Sequence, residues 1–506
     1  MNTAPSHPAY SEFLETYKGK LKQLFHERSD VDRLALKRGL PPFIMREIRG
    51  CDPLTVWIPE EYGGRGGKTP ECLAMLAASS YESLGLALTF GINGALFLQP
   101  LARYGQEATK RRVYDRVVKD KAMGGLMITE PDYGSDALAM KTSHVPEGDG
   151  HRIKGVKHWG GLTGWADFWL VTARPKGADG QLGRDIDFFV CDVNGPDQNI
   201  VVEEFFENLG LYMIPYGRNR LDIRVPANQR LLPESTGITM MLDILHRSRI
   251  EFPGMAMGFL HRIMDEGIRH CKERMVGGSS LFGYDQVQER LAQMQAYFTS
   301  ASAMCAYTGA NVSLADNMSR HSILANSIKT VATDMMQDAS QSLLQLFGGK
   351  GYRLDSYAGR ATVDSRPFQI FEGSNDILYQ QIAEAVLKTM RRLKEPNLGQ
   401  FLKGFESSKR VAGLVHSLVD FQVDTSLPQR KLVELGKALG RIFTMELTID
   451  LGERGFRKDL IDNSLAVLHA EVDRIMNGFR SPGGVMVQVD YQDGPSWLDL
   501  VYPSAT

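Results

Sequence analysis

Three clusters of residues in this chain have the types and spacing that chemistry needs. In Phe368-Gln369-Ile370-Phe371-Glu372-Gly373-Ser374-Asn375-Asp376 a lone carboxylate, Glu372, stands just before a helical pattern that runs from Asp376 to Leu387. Held dry, such a carboxylate has its pKa raised and can act as a general base near neutral pH; otherwise it merely sits favourably at a helix N-terminus, an effect of ~0.3–1 kcal/mol. The same cluster begins at Gln345-Leu346-Phe347-Gly348-Gly349-Lys350-Gly351-Tyr352, where glycines after a helix let a backbone approach a phosphate closely. In Leu126-Met127-Ile128-Thr129-Glu130-Pro131-Asp132-Tyr133-Gly134-Ser135-Asp136 a strand-like run enters a turn rich in hydroxyls and backbone donors. It suits a polar ring edge or a phosphate, and equally an ordinary capped turn. In Gly155-Val156-Lys157-His158-Trp159-Gly160-Gly161 an indole precedes a glycine pair, as a stack against a planar cofactor or as a core anchor over a tight turn.

The elements that must position these residues change in texture along the chain. Tyr10 to Phe25 and Thr69 to Leu84 carry apolar residues at helical spacing, separated by a loop at Val56 to Gly64. β-Branched and aromatic runs follow, Phe168 to Thr172, Ile186 to Val190 and Leu221 to Val225, with Gly- and Pro-containing turns between them. Helical period then returns, with Leu324, Ile328, Val331, Met335, Ala339 and Leu343 on one face and Gly348-Gly349 as the stop. The expected fold is α+β and multidomain: an N-terminal helical domain (1–122), a β-barrel domain (123–235), a four-helix bundle (236–394) and an extra helical C-terminal domain (395–506).

Composition narrows the function classes. With 506 residues, a net charge of −2 and ordinary apolar and charged fractions, the chain has no basic field for nucleic acid. Cys51, Cys72, Cys191, Cys271 and Cys305 lie far apart without metal-ligand spacing, so no metal is expected and the thiols read as reduced. No signal or transit pattern is evident at the N-terminus, and the apolar run from Leu86 to Leu98 is interrupted by Gly91, Asn93 and Gly94. A cytoplasmic protein with at most peripheral membrane contact is expected; the basic run from Lys388 to Lys394 reads as a solvated helix end.

The order and separation of the motifs resemble the acyl-CoA dehydrogenase family over about residues 10 to 392. Pro59-Glu60-Glu61-Tyr62-Gly63-Gly64 is similar to that family's N-terminal loop, and Thr129-Glu130-Pro131 with Gly134-Ser135-Asp136 to its flavin signature. Gln345 with Gly348-Gly349 and Gly351-Tyr352 resembles the C-terminal signature, and Phe371-Glu372-Gly373-Ser374 the catalytic tetrapeptide. The resemblance implies FAD as cofactor and an acyl-CoA substrate, with Glu372 removing the α-proton while the β-hydride leaves for the flavin. It implies that Leu126, Met127, Ile128, Thr129, Ser135, Trp159 and Gly161 line the flavin. Arg274, Gln345, Gly348 and Gly349 would contact its adenosine and pyrophosphate across a subunit interface, with Ser374 and Asp376 also at the cofactor. Ser135, Arg249 and Gly373 would meet the substrate, and Ser248 marks an alternative base position that is not used. The C-terminal segment resembles the extension of very-long-chain members, implying a dimer (a tetramer being the alternative) acting on medium to long fatty acyl chains in β-oxidation. Gly91, Gly94 and Ala95 would leave room for such a chain. An electron-transfer flavoprotein is the implied acceptor.

Gly160-Gly161 departs from the Ile-Thr that dehydrogenases of this family carry after the Trp, which keeps an acyl-CoA oxidase giving hydrogen peroxide open. Gly161, with Asp285 in place of a Gln and Val363 in place of an Arg, keeps a catalytically drifted acyl-CoA-binding protein open as well, and Gly277 in place of a Phe is a further departure that bears on adenosine binding. A flavin monooxygenase is disfavoured by Glu372.

Overall fold

Apolar residues at three- and four-residue spacing make the N-terminal part helical: α1 (Tyr10–Lys22), α2 (Val31–Leu34), α3 (Pro42–Arg49), α4 (Thr69–Glu82), α5 (Leu84–Asn93), α6 (Gln99–Tyr104) and α7 (Glu107–Asp120). The structure, a computed structural model, describes residues 7–424, 426–481, 486–494 and 496–502. The apolar run does not break at its glycines: α5, a π turn over Gly94–Leu98 and α6 form one helical stretch, Leu84–Tyr104. That stretch is long and apolar enough to cross a membrane, yet its apolar window is wholly buried inside the protein. The glycines serve close approach instead. A Cβ on Gly94 would lie 2.4 Å from the Trp57 indole, and one on Gly91 would lie 3.6 Å from the Met255 sulfur. Asn93 fits the helix because its amide donates to the Thr89 carbonyl (2.7 Å) while its oxygen accepts from the Gly124 N–H (2.7 Å). Trp57 therefore fills the space at Gly94, while Gly91 makes an ordinary contact with Met255.

The central segment folds into strands β1 (Gly124–Met127), β2 (Ser143–Glu147), β3 (Gly150–Gly161), β4 (Phe168–Pro175), β5 (Asp187–Asp192), β6 (Gln198–Phe205) and β7 (Tyr216–Pro226). They form one seven-stranded sheet in the order β1-β4-β2-β3-β7-β6, with β5 on the free side of β4. Strand β4 carries the turn of the sheet: its first half pairs with β1 in parallel and its end with β2, while β5 runs antiparallel along most of its length. That β4 is buried along most of its length, as Phe168, Trp169, Leu170 and Val171 show, follows from neighbours on both faces.

Four long helices follow: α8 (Gly237–Glu273), α9 (Asp285–Asn311), α10 (Ser322–Phe347) and, after a short α11 (Tyr357–Ser365), α12 (Asn375–Leu393). A small hairpin, β8 (Met275–Val276) with β9 (Ser279–Ser280), joins α8 to α9; Gly277 and Gly278 turn it at φ 57° and 84°, so the missing Phe at 277 is explained by a tight turn. The expected helical face of α10 is buried from Ile328 to Leu343, with Leu324 half-buried at its start, and Gly348 ends the helix at φ 60°.

The extension adds α13 (Leu398–Gly404), α14 (Ala412–Val419), α15 (Gln429–Glu453), α16 (Lys458–Arg480) and a short α17 (Trp497–Val501). It is packed onto the bundle, with α15 lying along α12, α10 and α9. Gly436 permits that approach, since a Cβ there would meet the Tyr379 carbonyl oxygen of α12 at 2.0 Å.

Candidate active site

Glu372 lies in the short link between the 3₁₀ turn Arg366–Gln369 and α12. Its φ is 54° and that of Gly373 is 94°. Glycine takes such a conformation freely, whereas a residue with a Cβ is strained by of order 1–3 kcal/mol, so this loop must be held by its surroundings. Several side chains do so. Arg249 on α8 donates from Nε to the Glu372 carbonyl (2.9 Å) and from Nη1 to Asn326 (2.8 Å). Lys329 on α10 donates from Nζ to the Gly373 carbonyl (2.9 Å) and to Asn375 Oδ1 (2.9 Å). The Glu372 N–H makes no hydrogen bond among the described residues, which leaves it free to meet an incoming oxygen.

The carboxylate is held half-satisfied. Ser248 Oγ donates to Oε1 (2.9 Å), while Oε2 is shielded from water and has no partner among the described residues. Burial pushes the Glu372 pKa up to about 7, against the opposing pull of the Ser248 bond, Arg249 and Lys329. Burial likewise draws the Lys329 ammonium down to about 7, despite the nearby Glu372 charge, and Arg249 to about 10. An acid poised near neutrality with one free oxygen is what proton abstraction requires. Ser248 thus does more than mark an unused position, and Arg249 is buried, its guanidinium engaged by the Glu372 loop and Asn326.

The β domain brings the other expected residues to the same region. Leu126 and Met127 end β1, Ile128 and Thr129 continue from it, and the Thr129 carbonyl accepts from the His158 N–H of β3 (2.8 Å). Strand β3 slips register against β7 between Lys157 and Gly160, and this bulge turns Trp159 outward at φ 56°. The indole is 51% exposed although it packs against Phe206 (4.6 Å between centroids) and Tyr216 (6.1 Å). A half-open aromatic face beside the Thr129 backbone fits a planar flavin ring. Gly161 is buried; a Cβ there would meet Ile92 at 2.7 Å and Tyr216 at 3.2 Å, so an Ile–Tyr wall occupies the place of the missing Thr. Tyr216 also senses the Glu372 charge, which adds to burial in raising its own pKa, so β7 and the Glu372 loop meet here.

Beneath this region lies a group the motifs did not announce. Lys157 is fully buried and donates to Glu130 Oε1, the Ile128 carbonyl and Thr172 Oγ1, each at 3.0 Å. Glu130 also accepts from the backbone N–H groups of Lys141 (2.6 Å) and Thr142 (2.9 Å). The signal available was one of strand alternation, since Lys157 falls on the same face of β3 as the buried Ile153. Ser135 lies exposed on the following loop.

Other expected residues sit elsewhere. Arg274, Gln345, Gly348 and Gly349 are exposed at the far ends of α8 and α10, which are tied together by His270 stacked on Phe347 (4.0 Å). Gly348 is separated from Lys329 by about 28 Å of helix at 1.5 Å per residue. Next to them a polar cleft of about 870 Å³ opens between Lys22, Tyr81, Arg262, Lys350 and Tyr357. Ser374 precedes α12 as its cap residue, and Asp376 is exposed and faces Lys437 of the extension at 3.8 Å. Asp285 begins α9, its Oδ1 accepting from the Gln286 N–H (2.9 Å), and Val363 approaches Gly210 through its carbonyl.

The family models of the acyl-CoA dehydrogenase N-terminal, middle and C-terminal domains match residues 22–121, 125–222 and 235–387. A probable acyl-CoA dehydrogenase, fadE25, of Mycobacterium leprae is 27% identical over 371 residues, 72% of this chain and 92% of its own. The mitochondrial very long-chain specific acyl-CoA dehydrogenase of Rattus norvegicus is 24% identical over 400 residues, 78% of this chain and 60% of that protein. An acyl-CoA dehydrogenase from Bacillus anthracis, solved in complex with FAD, shares the fold with a TM-score of 0.76 at 19% identity, over 94% of this chain and 88% of its own. That coverage reaches into the extension. The chain belongs to the acyl-CoA dehydrogenase family, and it is an FAD-dependent oxidoreductase.

Proposed function

We propose that this enzyme dehydrogenates an acyl-CoA thioester between its α- and β-carbons, with Glu372 removing the α-proton. The half-satisfied carboxylate carries this reading: Oε2 is dry and unpaired while Ser248 holds Oε1. Above about pH 7 Glu372 is ionised and able to accept a proton. Its free N–H is suited to the thioester oxygen, where negative charge grows as the proton leaves. FAD, when bound, would supply the acceptor for the β-hydride. Leu126 to Thr129 and Trp159 would hold its ring, and the loop around Glu372 would hold the substrate opposite, excluding water.

Two finer points belong to this proposal. The wall that Ile92 and Tyr216 build against Gly161, with Trp57 seated on Gly94, supports a compact acyl group over the medium to long chain implied by the extension. The exposed cluster of Arg274, Gln345, Gly348 and Gly349, far along the helices from Glu372, supports a homodimer in which each subunit reaches the other's cofactor. An electron-transfer flavoprotein is the proposed acceptor. The loss of a hydroxyl at Gly161 favours the oxidase as second reading.

Anaerobic titration of the yellow protein with acyl-CoAs of increasing length tests the scheme. Bleaching by short acyl-CoAs that is abolished in Glu372→Gln is expected. Equal bleaching by the Gln variant would remove Glu372 as the base, and bleaching only by long chains would remove the compact pocket. Peroxide formed in air at the rate of turnover moves the assignment to oxidase.

A further inference from the structure

We propose that Asp334 is a positioning residue for the catalytic loop, and that Arg441 of the C-terminal extension holds Asp334 in that role. The proposal rests on the reading of Glu372 as the base. One oxygen of Asp334, Oδ1, accepts from Gln369 Nε2 (2.8 Å) and from Asn375 Nδ2 (2.8 Å). These two residues stand three before and three after Glu372, so a single carboxylate oxygen ties both ends of the loop that carries the base. The other oxygen, Oδ2, accepts from the Tyr379 hydroxyl (2.6 Å) and from Arg441 Nη2 (3.3 Å).

Arg441 is 7% exposed and belongs to α15, which lies against Tyr379 because Gly436 admits its backbone. Its Nη1 donates to the Tyr379 hydroxyl (3.1 Å) and its Nε to Glu471 Oε2 (2.8 Å). Glu471 in turn accepts from Tyr297 of α9 (2.6 Å). The charged and titratable groups facing this point are Asp338 on α10, Tyr379 on α12, Tyr297 on α9, Lys437 and Arg441 on α15, and Glu471 and Arg474 on α16. Among them Arg441 is the buried cation that bonds both Asp334 and Glu471, so the acidic clamp depends on the extension for its charge balance.

The loop cannot keep its shape by local preference, because Glu372 sits at positive φ. A clamp that fixes both of its ends therefore fixes where the carboxylate points. The extension then has a part in catalysis: it keeps the general base aimed, at a distance, through one carboxylate.

The test uses the full-length holoenzyme. In Asp334→Asn the amide nitrogen faces the donors of Gln369 and Asn375 or of Tyr379 and Arg441, so one side of the clamp is lost. A fall in kcat of about 10–100-fold with little change in KM is expected, the scale of a small misplacement of a reacting group. The acid limb of the pH profile should move down as water reaches the loosened Glu372. Arg441→Met should lose both Tm and kcat; adding Asp334→Asn to it should recover part of the Tm but none of the rate, which a merely structural ion pair does not do. If Asp334→Asn fails to fold, Gln369→Leu removes one arm of the clamp and should lower kcat by about 3–10-fold. Unchanged kcat and pH limb in whichever of these variants folds overturns the proposal. Glu372→Gln run in parallel separates the two ideas: if it retains turnover, the base assignment has failed, and if it is inactive while the clamp variants are normal, only the clamp has.

Discussion

Two buried lysine–glutamate settings lie in this molecule, one in the β domain and one at the catalytic loop, and their difference separates scaffold from chemistry. In the β domain Lys157 bonds the Glu130 carboxylate directly at 3.0 Å, and both groups have their remaining capacity filled. Burial lowers Lys157 to about 8, with Glu130 pulling the other way. Burial tends to raise Glu130, but Lys157 and the Lys141 and Thr142 N–H groups outweigh it and leave its pKa below the ordinary value. Both remain charged near neutral pH, and the pair is locked. At the catalytic loop the lysine is turned to backbone: Lys329 bonds the Gly373 carbonyl, and the Glu372 carboxylate keeps an oxygen unpaired. The same residue types yield an acid raised to about 7. In the proposed role, Glu372 is reactive because its cation is close enough to temper it and not close enough to satisfy it.

Breaking the contrast at the catalytic end should have the largest effect. Glu372→Gln is expected to slow flavin reduction by about 10²–10⁴-fold in anaerobic single turnover, the usual contribution of a positioned base. The same variant checks the sign of the linkage. The folded Glu372 pKa lies above its unfolded value, so the folded state holds the extra proton and wild-type stability falls as pH rises from the ordinary carboxylate range to about 7. The Tm advantage of Glu372→Gln over wild type should therefore grow from pH 5 to 8 on the order predicted by linkage, and a shrinking advantage would contradict the raised pKa.

At the locked end, Lys157→Met should cost about 3–5 kcal/mol of stability, because it strands a buried carboxylate. Denaturant titration measures this, and the folded fraction should keep its rate per molecule; a rate loss larger than the stability loss would erase the contrast. Gly161→Thr should cost ~1–3 kcal/mol through overpacking against Ile92, read as a lowered Tm that Ile92→Ala relieves. Smallest of all, Ser248→Ala should raise the acid limb of kcat/KM, since the lost bond favours ionised Glu372 and is worth about 1 kcal/mol. A limb that moves down would show that Ser248 bonds the protonated form.

Most of the architecture was legible, because helical and strand periods repeat over many residues and report burial directly. Glu372, Thr129 and Trp159 were legible as motifs because each is flanked by its own glycines or turn residues. What could not be read came from distant elements. Ser248 and Glu372 are 124 residues apart, and Arg441 and Asp334 are 107 apart. In sequence Lys329 and Asp334 look like ordinary members of an amphipathic helix; only the neighbours show that they face inward. The glycines of the Leu84–Tyr104 stretch misled for the complementary reason: Gly91 and Gly94 look like breaks until the helix is seen to run through them, with Met255 in contact at the first and Trp57 seated on the second.

The buried helical stretch Leu84–Tyr104 also sets a schedule for the newborn chain. Much of what covers it comes from α8, where Met255 reaches Gly91 and Glu251 accepts from Gln99 at 2.7 Å. Those residues leave the ribosome about 150 residues later, so at ~5–20 residues per second the stretch waits roughly eight to thirty seconds for its cover. For that interval the nascent protein carries an apolar segment of membrane-spanning length still waiting for its cover.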